Sequence, residues 1–357
     1  MSTFVSVIFA IFLFSLLIFV HELGHFLTAK AFKVRVNEFS MFMGPAIFKK
    51  QIGETLYALR CIPIGGYCSM EGENEDTDDP HSFQKAAWWK RLIILVAGAA
   101  MNFIAGLLLF AIVFMPMEKM RLPIIESFTA ESMVCGVDGL QVGDEILKVD
   151  GEKLFVYEDF ITILSLNDGE VHDIEVLRNG EKVLLDDFAM KTYETTDSAG
   201  NPVLKYGINF TQVTPTFMDK LGYVWNFSLD NIRNVRLSLE MLFNGRAGLK
   251  DMSGAVGIVA IMSDAATEAK TTGDAIITMI YFCGFLAVNL AVMNLLPIPA
   301  LDGGRVVALL LTTAIQAITK KKIDPKYEGY IHAAGMILLL AFMALITFKD
   351  IFTIFKG

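Results

Sequence analysis

Long apolar runs separated by mixed, charged segments set the framework of this chain. The first, Phe4 to Val20, leads into His21-Glu22, and three more follow at roughly Leu92 to Met115, Ala275 to Leu296 and Ile331 to Phe348. Each approaches the ~20 residues that an α-helix needs to cross a bilayer at ~1.5 Å per residue. Four transmembrane helices are predicted. Between the first two runs, Glu38 to Met70 interrupts its apolar strings with Gly44-Pro45, Gly53 and Pro63-Ile64-Gly65-Gly66, too often for a spanning helix. Strand-like pieces such as Thr55-Leu56-Tyr57-Ala58-Leu59 fit two structures. One is a membrane-associated β-hairpin whose backbone is covered by protein or water; the other is a plain cytoplasmic loop. Gly72 to Pro80, with Glu73, Glu75, Asp76, Asp78 and Asp79, reads as a solvated acidic loop. Beyond the second run come short β-like stretches. From Phe217 to Leu249 apolar and charged residues then recur at helical spacing, as in Trp225, Leu229, Ile232 and Arg236. That spacing predicts an interfacial amphipathic helix, or an ordinary helix packed on a soluble domain.

The basic residues beside the apolar runs orient them. Lys30, Lys33, Arg35, Lys85, Lys90 and Arg91 flank the first connection, and Lys320, Lys321, Lys322 and Lys326 occupy the last, so both connections are expected in the cytoplasm. The intervening segment, richer in acids than bases, and both termini are then expected outside it. The opening run has no Lys or Arg at its start and no small-residue cleavage site, which argues against a removable signal peptide. The expected fold class is a polytopic α-helical membrane protein. Its membrane core comes in two parts, residues 1–115 and 275–357, separated by an extramembrane domain at 116–212 and an interfacial helical region at 213–274. Composition agrees: 54% of the 357 residues are hydrophobic and only 19% are charged. A net charge of -9, with no basic patch interleaved with aromatics, argues against nucleic acid as a partner. Cys61, Cys68, Cys135 and Cys283 lack paired spacing, so neither a disulfide framework nor a thiolate metal site is indicated.

The chemistry concentrates at the end of the first run, in Phe19-Val20-His21-Glu22-Leu23-Gly24-His25-Phe26. In a helix His21 and His25 lie one turn apart on one face and can grip a single zinc ion, with Glu22 beside them as a base. The first and third runs cross in the same direction. Asp302 therefore falls near the same cytoplasmic depth as His21, in Asn294-Leu295-Leu296-Pro297-Ile298-Pro299-Ala300-Leu301-Asp302-Gly303-Gly304. Two prolines and two glycines there break the helix and can turn a carboxylate inward, so Asp302 is a candidate third ligand. Without the two histidines, Asp302 would read as a helix cap, and Asn289 and Asn294 could simply bridge helices. His81, His172 and His332 have no partner at ligand spacing.

Gly139-Leu140-Gln141-Val142-Gly143-Asp144-Glu145-Ile146-Leu147-Lys148-Val149-Asp150-Gly151 resembles the turn-strand-turn signature of a bacterial PDZ domain. Together with the His-Glu-x-x-His motif and the late Leu-Asp-Gly-Gly string, it makes the chain resemble the site-2 protease family, nearest to its regulator-of-sigma branch. Weaker echoes occur at Met43-Gly44-Pro45, Phe83 to Asn102 and Ser253 to Ile258. The resemblance implies zinc held by His21, His25 and Asp302, Glu22 as catalytic glutamate, and Asn294 as a substrate-contacting amide, with Asn289 a further candidate. It also implies a β-hairpin at Glu38 to Met70, one extracytoplasmic PDZ domain of mixed α/β structure, and an active site near the cytoplasmic face of a bacterial cell membrane. The implied activity is intramembrane zinc-dependent proteolysis of single-span membrane proteins, such as anti-sigma factors or remnant signal peptides. Ala99 and Ala255 stand where many relatives have proline, and a single PDZ domain is the arrangement of the Gram-positive branch. Two other functions use the same features differently: a noncatalytic PDZ-bearing scaffold or chaperone, and a metal transporter. The first has no need of Glu22 and the metal ligands, and the second needs a continuous polar path through the membrane, which only the cytoplasmic ends of the runs offer.

Overall fold

A computed structural model describes residues 3–73, 75, 77–129, 132, 134–136, 139–166, 171–196, 202–248, 250, 252–320 and 325–356. Asp76, Leu249, Lys321 and Lys322, used in the sequence reading, lie outside the described residues. The chain opens with α1 (Thr3–Ala31), β1 (Val36–Ile52), β2 (Thr55–Met70) and α2 (Trp88–Phe114). Then come β3 (Met120–Phe128), β4 (Glu145–Val149), β5 (Glu152–Lys153), α3 (Asp159–Leu166), β6 (Val171–Arg178), β7 (Glu181–Ala189), β8 (Tyr193–Thr196), β9 (Pro202–Lys205) and β10 (Ile208–Val213). The remainder is helical: α4 (Phe217–Phe243), α5 (Ala255–Glu268), α6 (Thr272–Asn294), α7 (Asp302–Thr319) and α8 (Pro325–Lys356). Two compact units result, Met1–Val113 with Asn234–Gly357, and Phe114–Arg233.

Among the described residues, four helices are long and apolar enough to cross a membrane: Phe4–Ala31, Trp88–Phe114, Thr272–Asn294 and Gly329–Thr353. This is the make-up of a multi-pass membrane protein. α1 has no internal proline, and its helix continues past the apolar run, carrying the His-Glu-x-x-His motif on its last turns. It stops at Lys33, which takes a left-handed φ of 61°. There Val34 N–H returns to Ala29 O and Lys33 N–H to Lys30 O, closing a Schellman cap that satisfies the last carbonyls.

β1 and β2 fold back on themselves. Residues Glu38–Met41 pair on one side with Gly66–Ser69 and on the other with Leu56–Leu59, which in turn pair with residues 48–51. The result is a small sheet with the segment around Gly66–Ser69 at its edge. Left-handed glycines Gly44 and Gly65 make the reversals possible. One face buries Val36, Phe39 and Cys68 in a cluster with Ala29, Ile94 and Leu309. Farther out the hairpin exposes Met43, Ile47, Phe48, Ile52 and Ile62.

α5, which falls inside the segment assigned from sequence to one interfacial helical region, is a separate element. Its Met262 and Ala266 pack with Ala10, Leu13 and Leu17 of α1 and with Ala275, Met279 and Cys283 of α6. Asp350 of α8 accepts the Gly254 and Gly257 N–H groups at 2.8 and 3.0 Å, satisfying donors at the start of α5.

The second unit is built on a six-stranded sheet ordered β10-β3-β4-β6-β7, with β5 paired to β4, and a separate β8-β9 hairpin. Ile125, Leu140, Ile146, Phe160 and Ile174 form its core. Arg178 donates to Asp144 and to Gly139 O, fixing the turn that enters β4. At the start of α3, Asp159 accepts the Phe155 and Val156 N–H groups and pairs with Arg233 of α4. Arg233 also meets Asp230, whose carboxyl is pushed up to about 8, first by burial and then by the neighbouring charge of Asp159.

Candidate metal centre

His21 and His25 project from successive turns of α1, with ring centroids 4.8 Å apart and planes nearly perpendicular. Their Nε2 atoms are 3.2 Å apart. Asp302 Oδ2 lies 3.1 Å from His21 Nε2 and 3.2 Å from His25 Nε2, making a three-residue cluster suited to one metal ion. Tetrahedral zinc with ligands at ~2.05 Å sets neighbouring ligand atoms about 3.3 Å apart, so the observed spacings match a zinc-sized cage.

The polarity of these atoms makes the same point. His25 Nδ1 lies 2.8 Å from the Ile94 carbonyl and must donate its hydrogen there, which leaves a lone pair on Nε2. Asp302 Oδ2 is buried and has no other hydrogen-bond partner among the described residues. With both imidazoles neutral, electron pairs converge on one point, where a cation satisfies them. Two imidazole nitrogens and a carboxylate are a donor set that zinc accepts.

Each candidate ligand is held in place by local backbone chemistry. Gly24 lets α1 and α2 approach: a Cβ there would fall 2.4 Å from Ala97 O. On α2, a Cβ at Gly98 would fall 2.4 Å from His25 Nε2 and 2.7 Å from His21 Cε1, so the rings occupy the space that any larger residue would fill. α6 ends at Asn294, and a loop containing Pro297 and Pro299 leads to Asp302, the first residue of α7. Within that loop Ala300 takes a left-handed φ of 88° and donates its N–H to His332 Nδ1. A Cβ at Gly303 would lie 2.3 Å from the Leu295 and Leu296 backbone, and one at Gly304 would lie 2.4 Å from Ile298 O. The paired glycines thus allow the loop to fold onto the helix start and aim Asp302 at the histidines. One turn on, Arg305 pairs with Glu73 from the segment after β2.

Glu22 stands beside the cluster, and its carboxylate accepts the Cys68 backbone N–H. The edge of the small sheet is therefore next to the candidate base. Burial, and then the negative charge of Glu22, push the Cys68 thiol up to about 12.

The structure brings together His21, Glu22, His25, Asp302 and Asn294, whose Nδ2 is 3.3 Å from His21 Nδ1. Asn289 stands apart, about 7.5 Å back along α6. It lines a cleft of about 490 Å³ with Ser238, Leu242, Met252 and Phe285, and its Oδ1 lacks a hydrogen-bond partner among the described residues. The other histidines lie elsewhere: His172 pairs with Asp150, His81 is exposed near Asp79, and His332 accepts from Ala300. Sequence reasoning missed Gly98 and Asn102, which reach the histidines from α2. Their signal was a polar residue inside an apolar run, one turn after a glycine.

A buried cage for one metal, with a carboxylate base beside it and apolar helices long enough to cross a membrane, defines a membrane metallohydrolase. Residues 9–342 match peptidase family M50, the site-2 protease group, and the chain belongs to that family. Relatives whose names carry the words zinc metalloprotease include one from Clostridium acetobutylicum, 36% identical over 98% of both chains. Another, from Clostridium perfringens, is 35% identical over 97% of this chain and 98% of its own length. RasP of Geobacillus kaustophilus, at 26% identity, aligns over 98% of both chains. The protein is a zinc metalloprotease.

Proposed function

We propose that this protease cuts substrate proteins within their membrane-spanning segments, using His21, His25 and Asp302 to hold zinc and Glu22 as general base and acid. The observation that carries the reading is the position of the cage: its two histidines lie on the last turns of a helix whose preceding residues are lipid-compatible throughout. Zinc, when bound there, supplies Lewis acidity that polarises a peptide carbonyl and acidifies a water. Glu22 takes the proton of the attacking water and returns it to the leaving amine. Asn294, only partly buried beside His21, is the amide that holds the substrate backbone, and Asn289 extends that contact along α6.

A substrate helix hides its carbonyls in its own hydrogen bonds, so it must unwind before attack. The sheet edge at Gly66–Ser69 offers the unwound strand a ladder directly beside Glu22. The exposed apolar residues Met43, Ile47, Phe48, Ile52 and Ile62 suit a hairpin that dips into the membrane. The second unit we infer to be a PDZ domain lying outside the cytoplasm, as do both termini, with the active site near the cytoplasmic face of a bacterial cell membrane. β10, at one end of its sheet, has an edge to which an extended peptide can add. Along α4, Phe217, Met218, Leu221 and Trp225 expose an apolar stripe suited to a lipid surface. Substrates of this design are single-span proteins such as anti-sigma factors or remnant signal peptides.

The test is cleavage of a model single-span substrate by purified protein, wild type against Glu22→Gln, with zinc measured in both. Loss of cleavage on the order of a thousandfold or more with zinc retained is expected for removal of the base. Equal processing by both proteins would refute the mechanism.

A further inference from the structure

Asn102 sits on α2 with 1% of its surface exposed, a buried amide in an apolar helix. Its Nδ2 lies 3.5 Å from His21 Nδ1, while its Oδ1 is buried without a hydrogen-bond partner among the described residues. Asn294 Nδ2 faces the same ring nitrogen at 3.3 Å. Since His21 Nε2 faces His25 and Asp302 in the metal cluster, the ring's hydrogen belongs on Nδ1. An N–H therefore confronts two amide N–H₂ groups, with a buried oxygen unused nearby. A half-turn of the Asn102 amide, which exchanges its oxygen and nitrogen at almost no steric cost, brings the oxygen to the His21 N–H and gives it an acceptor.

We propose that Asn102 is the positioning residue of His21, its Oδ1 accepting the Nδ1–H and so fixing the ring with Nε2 toward the metal. This rests on the zinc-protease reading and deepens it. The other ligand is held in the same way, His25 Nδ1–H donating to Ile94 O. Ile94, Gly98 and Asn102 are spaced one turn apart along a single face of α2. That face supplies an acceptor for one imidazole, room for both rings, and an acceptor for the other. With His21 satisfied by Asn102, the Asn294 amide is released to face substrate.

The experiment measures zinc affinity of the purified full-length protein by competition with a chelator. Asn102→Leu keeps the size and removes the acceptor, and is expected to lower affinity 10- to 100-fold, the usual effect of losing such a partner. Asn102→Asp retains an acceptor and is expected to stay within about threefold of wild type. Asn294→Leu is expected to leave zinc affinity unchanged. Should Asn102→Leu not fold, Asn102→Ala set against Asn102→Asp makes the same comparison. Wild-type affinity in the leucine or alanine variant, or equal loss in the aspartate variant, would overturn the role of Asn102 while leaving the metal site intact. Zinc binding that survives His21→Ala at full strength would instead overturn the metal site itself, and Asn102's role with it.

Discussion

Gly98 carries no functional group, yet the two imidazoles depend on it, because the rings lie where its side chain would be. It is helical, so alanine meets no backbone strain there, and the whole cost falls on the rings. Gly98→Ala is expected to lower zinc affinity on the order of tenfold or more and to reduce cleavage with it, while the apo protein keeps its helical content by circular dichroism. Normal zinc affinity in that variant would show that the rings can move aside. At this scale the sequence was informative where spacing alone decides geometry. The four-residue interval between His21 and His25 is one helical turn, and a break with two prolines before Asp302 and two glycines after it has few structural uses. It was silent on Asn102, because an amide in an apolar run gains meaning only when a second helix brings a ring nitrogen against it. The inward aim of Asp302 also rests on something the one-dimensional pattern only hints at, the contact of Gly303 and Gly304 with the backbone of Leu295 to Ile298.

Among the elements, the hairpin after α1 is the one to which the proposed function gives backbone work, the pairing of an unwound substrate strand. Sequence patterning left Glu38 to Met70 open between a hairpin and a plain loop, and the structure builds strands that double back at Gly44 and Gly65. The pairing of Glu38–Met41 with two different partners could not be read in advance, since it depends on where those turns fall rather than on any period-two pattern. Cys68 N–H points out of the sheet to Glu22, so by strand alternation Gly66 N–H points the same way. Gly66→Pro deletes that outward donor, whereas Gly66→Ala adds a Cβ and keeps it. The proline variant is expected to lose cleavage by about tenfold, the worth of one hydrogen bond to substrate, with zinc content unchanged and the alanine variant much less affected. Equal activity of the two would mean that substrate does not add to this edge. α5 and α7 escaped the sequence reading for different reasons. α5 is too short to span and merges in pattern with the segment before α6, and α7 follows directly on a break that reads as a loop.

At the scale of the whole molecule, the apolar runs were the most legible feature, and each became a helix longer than the run itself. α1 extends from the membrane-compatible stretch into the motif, so the two candidate histidine ligands share a rigid element with a span. The two compact units divide labour in the proposed function: one holds the metal and the sheet edge, and the other presents β10 as a docking edge. The central claim is that the scissile bond lies inside a membrane span. Mass-spectrometric mapping of the products from a single-span substrate, co-reconstituted with the full-length protein in lipid vesicles, tests it most directly. New termini within the apolar segment, absent with Glu22→Gln, are the expected result; cuts confined to the flanking polar residues, or unchanged by that substitution, would contradict it.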